Sequence, residues 1–242
     1  MRLLTLTLAV VLCVSAAPPD TKRLDARSLF YDPTSGAASS TPPVSPGHTP
    51  APARPVVNVR NTGIMYYVEL IKPSGEKVRV TTSRTFHTGD KIQLHVQTNV
   101  DGRLVIVQKQ KDGSSQVIFP DKRVNGGSNT LHARADTIVP SEDSWFKFDD
   151  NPGEEHILML LTTEAAYEQV RQDVAAATTD AKKADELSRN IAQHRTDRGL
   201  VLQVDDKADK PATYVVSTNS TAPPTTAGIG TVVATEIVLN HQ

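Results

Sequence analysis

Cysteine is nearly missing from this chain. The single one, Cys13, lies inside an apolar run close to the first residue. Beyond that run the chain can form no disulfide, no thiol nucleophile and no thiolate metal site. An exported domain without disulfides is held by its core alone, which suits a medium-sized bacterial domain better than a small secreted one. Apolar residues are also scarce, at 38%, below the usual globular fraction. The shortfall is local, sitting in a Pro/Ser/Thr/Ala stretch and in an alanine-rich helical stretch, so the remainder can still build a core. No apolar run reaches the roughly 20 residues of a membrane-spanning helix. Neither sign of charge dominates, since the net charge is −1. A near-neutral chain has no general pull on nucleic acid or anionic lipid, and nucleic acid is excluded as an expected partner. The fingerprints of a nucleophile elbow, a Walker loop and a dinucleotide site are all missing.

What is present begins with an export signal. Arg2 gives a positive start, Leu3 to Val14 is apolar or threonine, and Val14-Ser15-Ala16 supplies small residues for cleavage after Ala16. A lipid anchor on Cys13 is disfavoured because Leu12 precedes it. Residues 1–16 are therefore read as a signal peptide and residues 17–57 as a disordered Pro/Ser/Thr/Ala-rich linker. Seven prolines fall between Asp32 and Pro55, too polar a stretch to offset its ordering entropy. Arg27 to Tyr31 is a short apolar patch that either docks or stays disordered.

The domain proper is placed at 58–242, with Phe86 to Pro120 as its most regular stretch. Ile64–Ile71 and Val78/Val80 flank the turn Lys72-Pro73-Ser74-Gly75, which predicts a hairpin at the edge or outer part of a sheet. Ile92, Leu94 and Val96 alternate with Gln93, His95 and Gln97, a half-buried strand with a wet outer face. Asp101-Gly102 is expected to supply the positive φ of a tight reversal. Leu104–Val107 and His156–Leu161 are apolar on both faces, hence central strands. Trp145, Phe146 and Phe148 are expected to plug one end of the core. From Thr163 the period changes: Tyr167, Val170, Val174 and Ala177 share one helical face, as do Ala184, Leu187 and Ile191 after Thr178-Thr179-Asp180. Both stripes are narrow, so the helices of the insert 164–195 are expected to lie on the sheet surface. Strands resume at Leu200–Val204 and Tyr214–Val216, and Thr231–Leu239 is expected to complete the sheet. The fold class is mainly β, a β-sandwich-like antiparallel domain with a two-helix insertion between late strands.

Between about Gly63 and Thr162 the chain carries, in order, Phe86-(x)2-Gly89-Asp90-Lys91-Ile92, Asn99-(x)-Asp101-Gly102-(x)-Leu104 and Phe119-Pro120. Ile138-(x)-Pro140, Phe146-(x)-Phe148 and Gly153-(x)-Glu155 follow. In these motifs and their spacing the chain resembles a bacterial family known only as domain of unknown function 4384. The close Glu236-Ile237-(x)-Leu239-(x)-His241 is similar to the end of some members. The resemblance implies a β-sandwich-like domain of exported or multidomain bacterial proteins, and it implies no activity. Val105 stands where members often carry tyrosine, and Glu164–Arg195 lies outside the shared pattern.

Other constellations read blandly. Asp149 to Glu155 places oxygen side chains at alternate positions, but its spacing is not that of an EF-hand and Pro152 interrupts it, so it reads as an acidic turn. The histidines His48, His87, His95, His132, His156, His194 and His241 show no zinc-ligand spacing. They read as surface or satisfied histidines, with His95 and His156 on exposed faces or near sheet ends. Gly89-Asp90 reads as a turn, Asp90 capping it. Asn219-Ser220-Thr221 is a glycosylation sequon with little meaning in a bacterial protein. No catalytic, cofactor-binding or metal-binding residue is assigned. The expected function is an exported, noncatalytic binding or scaffolding domain of the bacterial cell envelope, periplasmic or extracellular. Its partner would be another envelope protein or polymer, met at a sheet edge or through the loops Asp121–Ser128 and Ser217–Gly230. An extracytoplasmic hydrolase with a scattered triad and a ligand-free structural spacer are the alternatives.

Overall fold

The computed structural model describes residues 25–32, 61–162, 164–197, 200–206, 209–218 and 232–242. Two sheets face each other around one core. The elements run α1 (Ala26–Tyr31), β1 (Thr62–Ile71), β2 (Lys77–Val80), β3 (Thr85–Phe86), β4 (Lys91–Thr98) and β5 (Gly102–Lys109). There follow β6 (Ser115–Phe119), β7 (Thr130–Leu131), β8 (Thr137–Val139), β9 (Phe146–Lys147) and β10 (Gly153–Thr162). The helices α2 (Glu164–Ala177) and α3 (Ala181–Asp197) precede β11 (Leu200–Asp205), β12 (Ala212–Ser217) and β13 (Val232–His241). The first sheet is ordered β11-β12-β1-β4-β8, with β2 also on β1 and β9 also on β4. The second is ordered β3-β13-β10-β5-β6, with β7 also on β5. All pairings are antiparallel except β3 on β13.

Period-two alternation sends one face of each sheet inward. Ile64, Val68, Ile92, Leu94 and Val96 of the first sheet meet Leu104, Ile106, Met159, Leu161 and Ile237 of the second. The outer face of the second sheet is apolar too, through Val105, Val107, Leu158, Leu160 and Ala234. Helices α2 and α3 cover it with Val170, Val174, Leu187 and Ile191, the stripe the sequence showed. Asp180 caps α3, its carboxylate accepting from Lys182 N at 2.8 Å. On the opposite flank, α1 docks Leu29 and Phe30 against Met65, Tyr214 and Val216. The apolar patch inside the expected linker thus contributes a packed helix. A six-residue helix has little stability alone. Asp25 caps its start, and the Arg134 guanidinium donates to the carbonyls of Phe30 and Tyr31 at 2.7 and 2.9 Å.

Three expectations are corrected or narrowed. The β1–β2 hairpin is outer only through β2, which among the described residues pairs with β1 alone; β1 is internal, pairing with β4 along Ile64–Ile71 and carrying β12 and then β2 on its other side. The chain from β4 to β5 is not a hairpin, because the two strands belong to different sheets. Gly102 has no positive φ there; a Cβ on it would lie 2.9 Å from both Leu161 Cδ1 and Thr162 O. Its role is close approach to β10. Third, only part of the aromatic trio plugs the core, since Phe148 is buried but Trp145 is 46% exposed, with Lys91 Nζ over its ring at 4.3 Å. The terminal strand completes the second sheet as expected, along all of β10. The signal peptide, the prolines of 33–55, His48 and the sequon lie outside the described residues.

Candidate binding cleft

One end of the sandwich is open. Between the start of β4, the end of β5 and the start of β10 lies a cleft of about 380 Å³. On the first sheet its wall is Ile92 with Phe146, directly opposite one another in the β4–β9 pairing, and Phe148. On the second it is Ile118, Ile157 and Leu239. Ile92, Phe148, Ile157 and Leu239 belong to the main core, and Ile118 and Phe146 pack against it. The floor is therefore the end of the core, with Ile118 and Phe146 its partly exposed members.

Local chemistry fixes the walls. At Gly89, φ is +91°, which a residue with a Cβ adopts at a cost, and Asp90 accepts from His87 N at 3.1 Å. The turn reading of Gly89-Asp90 stands. That turn exchanges two bonds with Phe148: Gly89 N donates to its carbonyl at 2.9 Å, and Phe148 N donates to Asp90 O at 3.0 Å. The Phe148 ring stacks on Phe86 at 4.9 Å. Across the mouth, Lys111 of the β5–β6 hairpin donates to the carbonyls of Asn151 and Pro152. Gly153, beside this strap, has a φ of +148°, a conformation that favours glycine.

The rim is polar and of mixed sign. Gln108 Nε2 donates to Glu155 Oε2 at 3.0 Å. Asp149 Oδ1 accepts from Asn151 N at 2.8 Å, so the acidic stretch is a capped turn. Asp112 takes two bonds from Ser114, and that hydroxyl, then that amide, hold its carboxyl below the ordinary value. Gln110, Lys111 and Lys147 complete the rim. Among the described residues no group of three His, Cys, Asp or Glu is placed to hold a metal ion. Nor is any helix among them long and apolar enough to cross a membrane.

A second constellation lies on the outer face of the first sheet. His95, expected on a wet face, is buried. Its Nδ1 is 2.8 Å from Asp136 Oδ2 and its Nε2 is 3.2 Å from Glu69 Oε2. Tyr67 stacks on the imidazole, and the Arg79 guanidinium lies 3.4 Å above the tyrosine ring centroid. Burial is the main cause raising the Tyr67 hydroxyl to about 12, with the charge of Asp136 next. Burial also pushes Asp136 upward, but hydrogen bonds and charge from His95 outweigh it and leave that carboxyl below its ordinary value. A phenol kept protonated is no nucleophile, and the histidine is clamped on both nitrogens. The cluster serves as a buried ladder.

The remaining histidines are scattered. His156 meets Glu236 at 2.7 Å, His132 and His87 are exposed, and His241 is buried with Nε2 3.3 Å from Thr88 Oγ1. Beside the loop expected at Asp121–Ser128 is a broader recess of about 540 Å³. Of its lining only Val124 belongs to the main core. Arg123 there is turned back onto Asp121 at 2.7 Å. Most of the other expected loop, 219–231, lies outside the described residues.

Fold and cleft together define a two-sheet sandwich with a ligand-sized hollow at its strand ends. Residues 85–165 match the family model described as Domain of unknown function (DUF4384), so that segment is similar to this family. No curated protein and no solved structure matches the chain. The matched segment supplies every residue of the cleft except Leu239. Of the shared motifs, Phe146-(x)-Phe148 and the Glu155 of Gly153-(x)-Glu155 line the cleft, and the Gly89-Asp90 turn holds Phe148 in place. That was the signal in the sequence that could have found it.

Proposed function

We propose that this chain is a noncatalytic binding domain and that its ligand seats in the cleft between the two sheets. One observation carries the reading: core side chains, with Ile118 and Phe146 partly exposed, form a concave floor beneath a rim of amides and charges. Pockets that hold ligands combine such a floor with a few convergent polar groups. The rim carboxylates are engaged as acceptors, Glu155 by Gln108, Asp149 by Asn151 N and Asp112 by Ser114. That suits holding a ligand better than donating a proton to one. The domain acts outside the cytoplasm in this reading, as a component of the bacterial envelope; Arg2, the run Leu3 to Val14 and Val14-Ser15-Ala16 support that placement.

A fragment screen by amide chemical-shift mapping on the full chain tests the binding half. Hits should cluster on residues 108–112 and 146–157, and hits spread evenly over the surface would overturn it. A second reading, a hydrolase, is favoured by the three carboxylates that share the cleft, Asp112, Asp149 and Glu155. Turnover of any ester, phosphoester or glycoside that is lost in Glu155→Gln would establish it. Export is tested by the intact mass of protein expressed with its leader in a bacterial host, expected to begin at Ala17. A chain retaining Met1 in the cytoplasm would refute it.

A further inference from the structure

Resting on that reading, we infer that the cleft ligand is a neutral, hydroxyl-rich molecule of the saccharide class. Three features narrow the chemistry. The first is the balance of charge on the rim. Lys111 and Lys147 share the lining with Asp112, Asp149 and Glu155. An anion entering the cleft faces three carboxylates, and a cation faces two ammonium groups. A ligand with net charge of either sign thus gains little, because attraction and repulsion act over similar distances.

The second feature is the type of polar group. Gln108, Gln110 and Asn151 stand beside the carboxylates. Amides carry both donors and acceptors, and ionised carboxylates are acceptors alone. Hydroxyl groups donate and accept at once, so they can satisfy both kinds. A wholly apolar ligand would strip water from this rim and return nothing, at the cost of unsatisfied polar groups. The Gln108–Glu155 pair already fixes one amide against one carboxylate at 3.0 Å, which aims the remaining lone pairs without further ordering.

The third feature is the wall. Phe146 is partly buried and lies directly across β4–β9 from Ile92, with Ile157 and Ile118 on the facing sheet. A pyranose presents C–H groups on its faces and hydroxyls around its perimeter. The apolar faces match the aromatic and aliphatic walls, and the perimeter matches the rim. The volume of about 380 Å³ lies within the range of small-ligand sites, roughly 300–1,000 Å³. The Lys111 strap onto the carbonyls of Asn151 and Pro152 ties the two loops that flank the mouth, so the hollow is pre-formed.

The test is amide shift mapping on the full chain with four probes, each titrated into wild type, Phe146→Leu and Glu155→Gln. The probes are the β-1,4-glucan hexamer, the β-1,4-N-acetylglucosamine hexamer, a galacturonic-acid hexamer and the apolar dye anilinonaphthalene sulfonate. Phe146→Leu keeps apolar bulk and removes the ring, and melting curves verify that both variants fold. At least one neutral hexamer should shift residues 108–112 and 146–157. Its affinity should fall about tenfold in Phe146→Leu and several-fold in Glu155→Gln, with the acidic hexamer binding more weakly than it does. Dye bound at these residues with no sugar response would overturn the saccharide class and leave the binding reading intact. No response to any probe there would overturn both. Sugar shifts on the outer faces, unchanged in the variants, would overturn the site. Release of reducing ends from a bound hexamer would keep the class and sink the noncatalytic reading.

Discussion

Tyr67 and His95 lie face to face on the outer side of the first sheet, ring centroids 4.4 Å apart and planes 13° from parallel. They are cross-strand partners in the β1–β4 register. Aromatic pairs of this kind contribute beyond their buried area, and here the pair also sets two titrations of opposite sign.

The first is at high pH. The Tyr67 hydroxyl is raised to about 12 from 10.0, so the folded state holds its proton where the unfolded state releases it. Its contribution to stability is present below the unfolded value and is lost as pH rises toward about 12. Tyr214 behaves alike, raised to about 12 by burial and then by Tyr31. Tyrosinate absorbance of the native chain should therefore show a late phase, and Tyr67→Phe and Tyr214→Phe should each remove part of it.

The second is at low pH. Asp136 is held below its ordinary 3.8, so its contribution is present above that value and is lost as pH falls through the folded pKa. Asp136→Asn should lower stability at neutral pH and flatten the acid limb of a stability profile from denaturant melts. An unchanged acid limb would mean that His95 does not stabilise the ionised carboxyl.

Core and rim should respond very differently to truncation. Met159 is fully buried between the sheets, and Met159→Ala should cost about 2–5 kcal/mol, as buried large-to-small changes do. Trp145, half exposed beside the cleft, should cost under about 0.5 kcal/mol when replaced by threonine, the range of ordinary surface changes. Urea midpoints at constant slope measure both.

Gly102→Ala should destabilise by about 1–3 kcal/mol, since its methyl would press on the Thr162 carbonyl and overpacking carries that cost. An ordinary hairpin glycine with positive φ would leave the β5–β10 pairing untouched. Gly102→Ala should instead raise amide exchange at Leu161 and Thr162.

Much of the fold was legible because period two and period 3.6 are local signals. The alternation of Ile92, Leu94 and Val96, the two-faced apolar runs of β5 and β10, and the stripe from Tyr167 to Ala177 each located an element and its buried face. The sheet to which a strand belongs is not local, and Asn99 to Gly102 showed this. Its residues suit a hairpin, yet the chain crosses there from one sheet to the other. His95 misled for a related reason. Its outward position predicted water, but Tyr67, Glu69 and Asp136 arrive from other segments and enclose it. The cleft was the least legible feature. Its lining comes from strands and loops spread between Ile92 and Leu239, and only the short motifs around Phe146 and Gly153 hinted that they meet.

The pairing of β10 with β13 has a kinetic consequence. Between them lie both helices, β11, β12 and the segment to residue 231, and that whole length must be closed before the ladder can form. Closing long loops and pairing distant strands slows folding. Until β13 arrives, the apolar edge of β10 stands unpaired on a growing chain, a surface that invites association with other chains. The helices α2 and α3 pack on the outer face of that sheet and not along its edge, so this edge of β10 is closed by β13 alone.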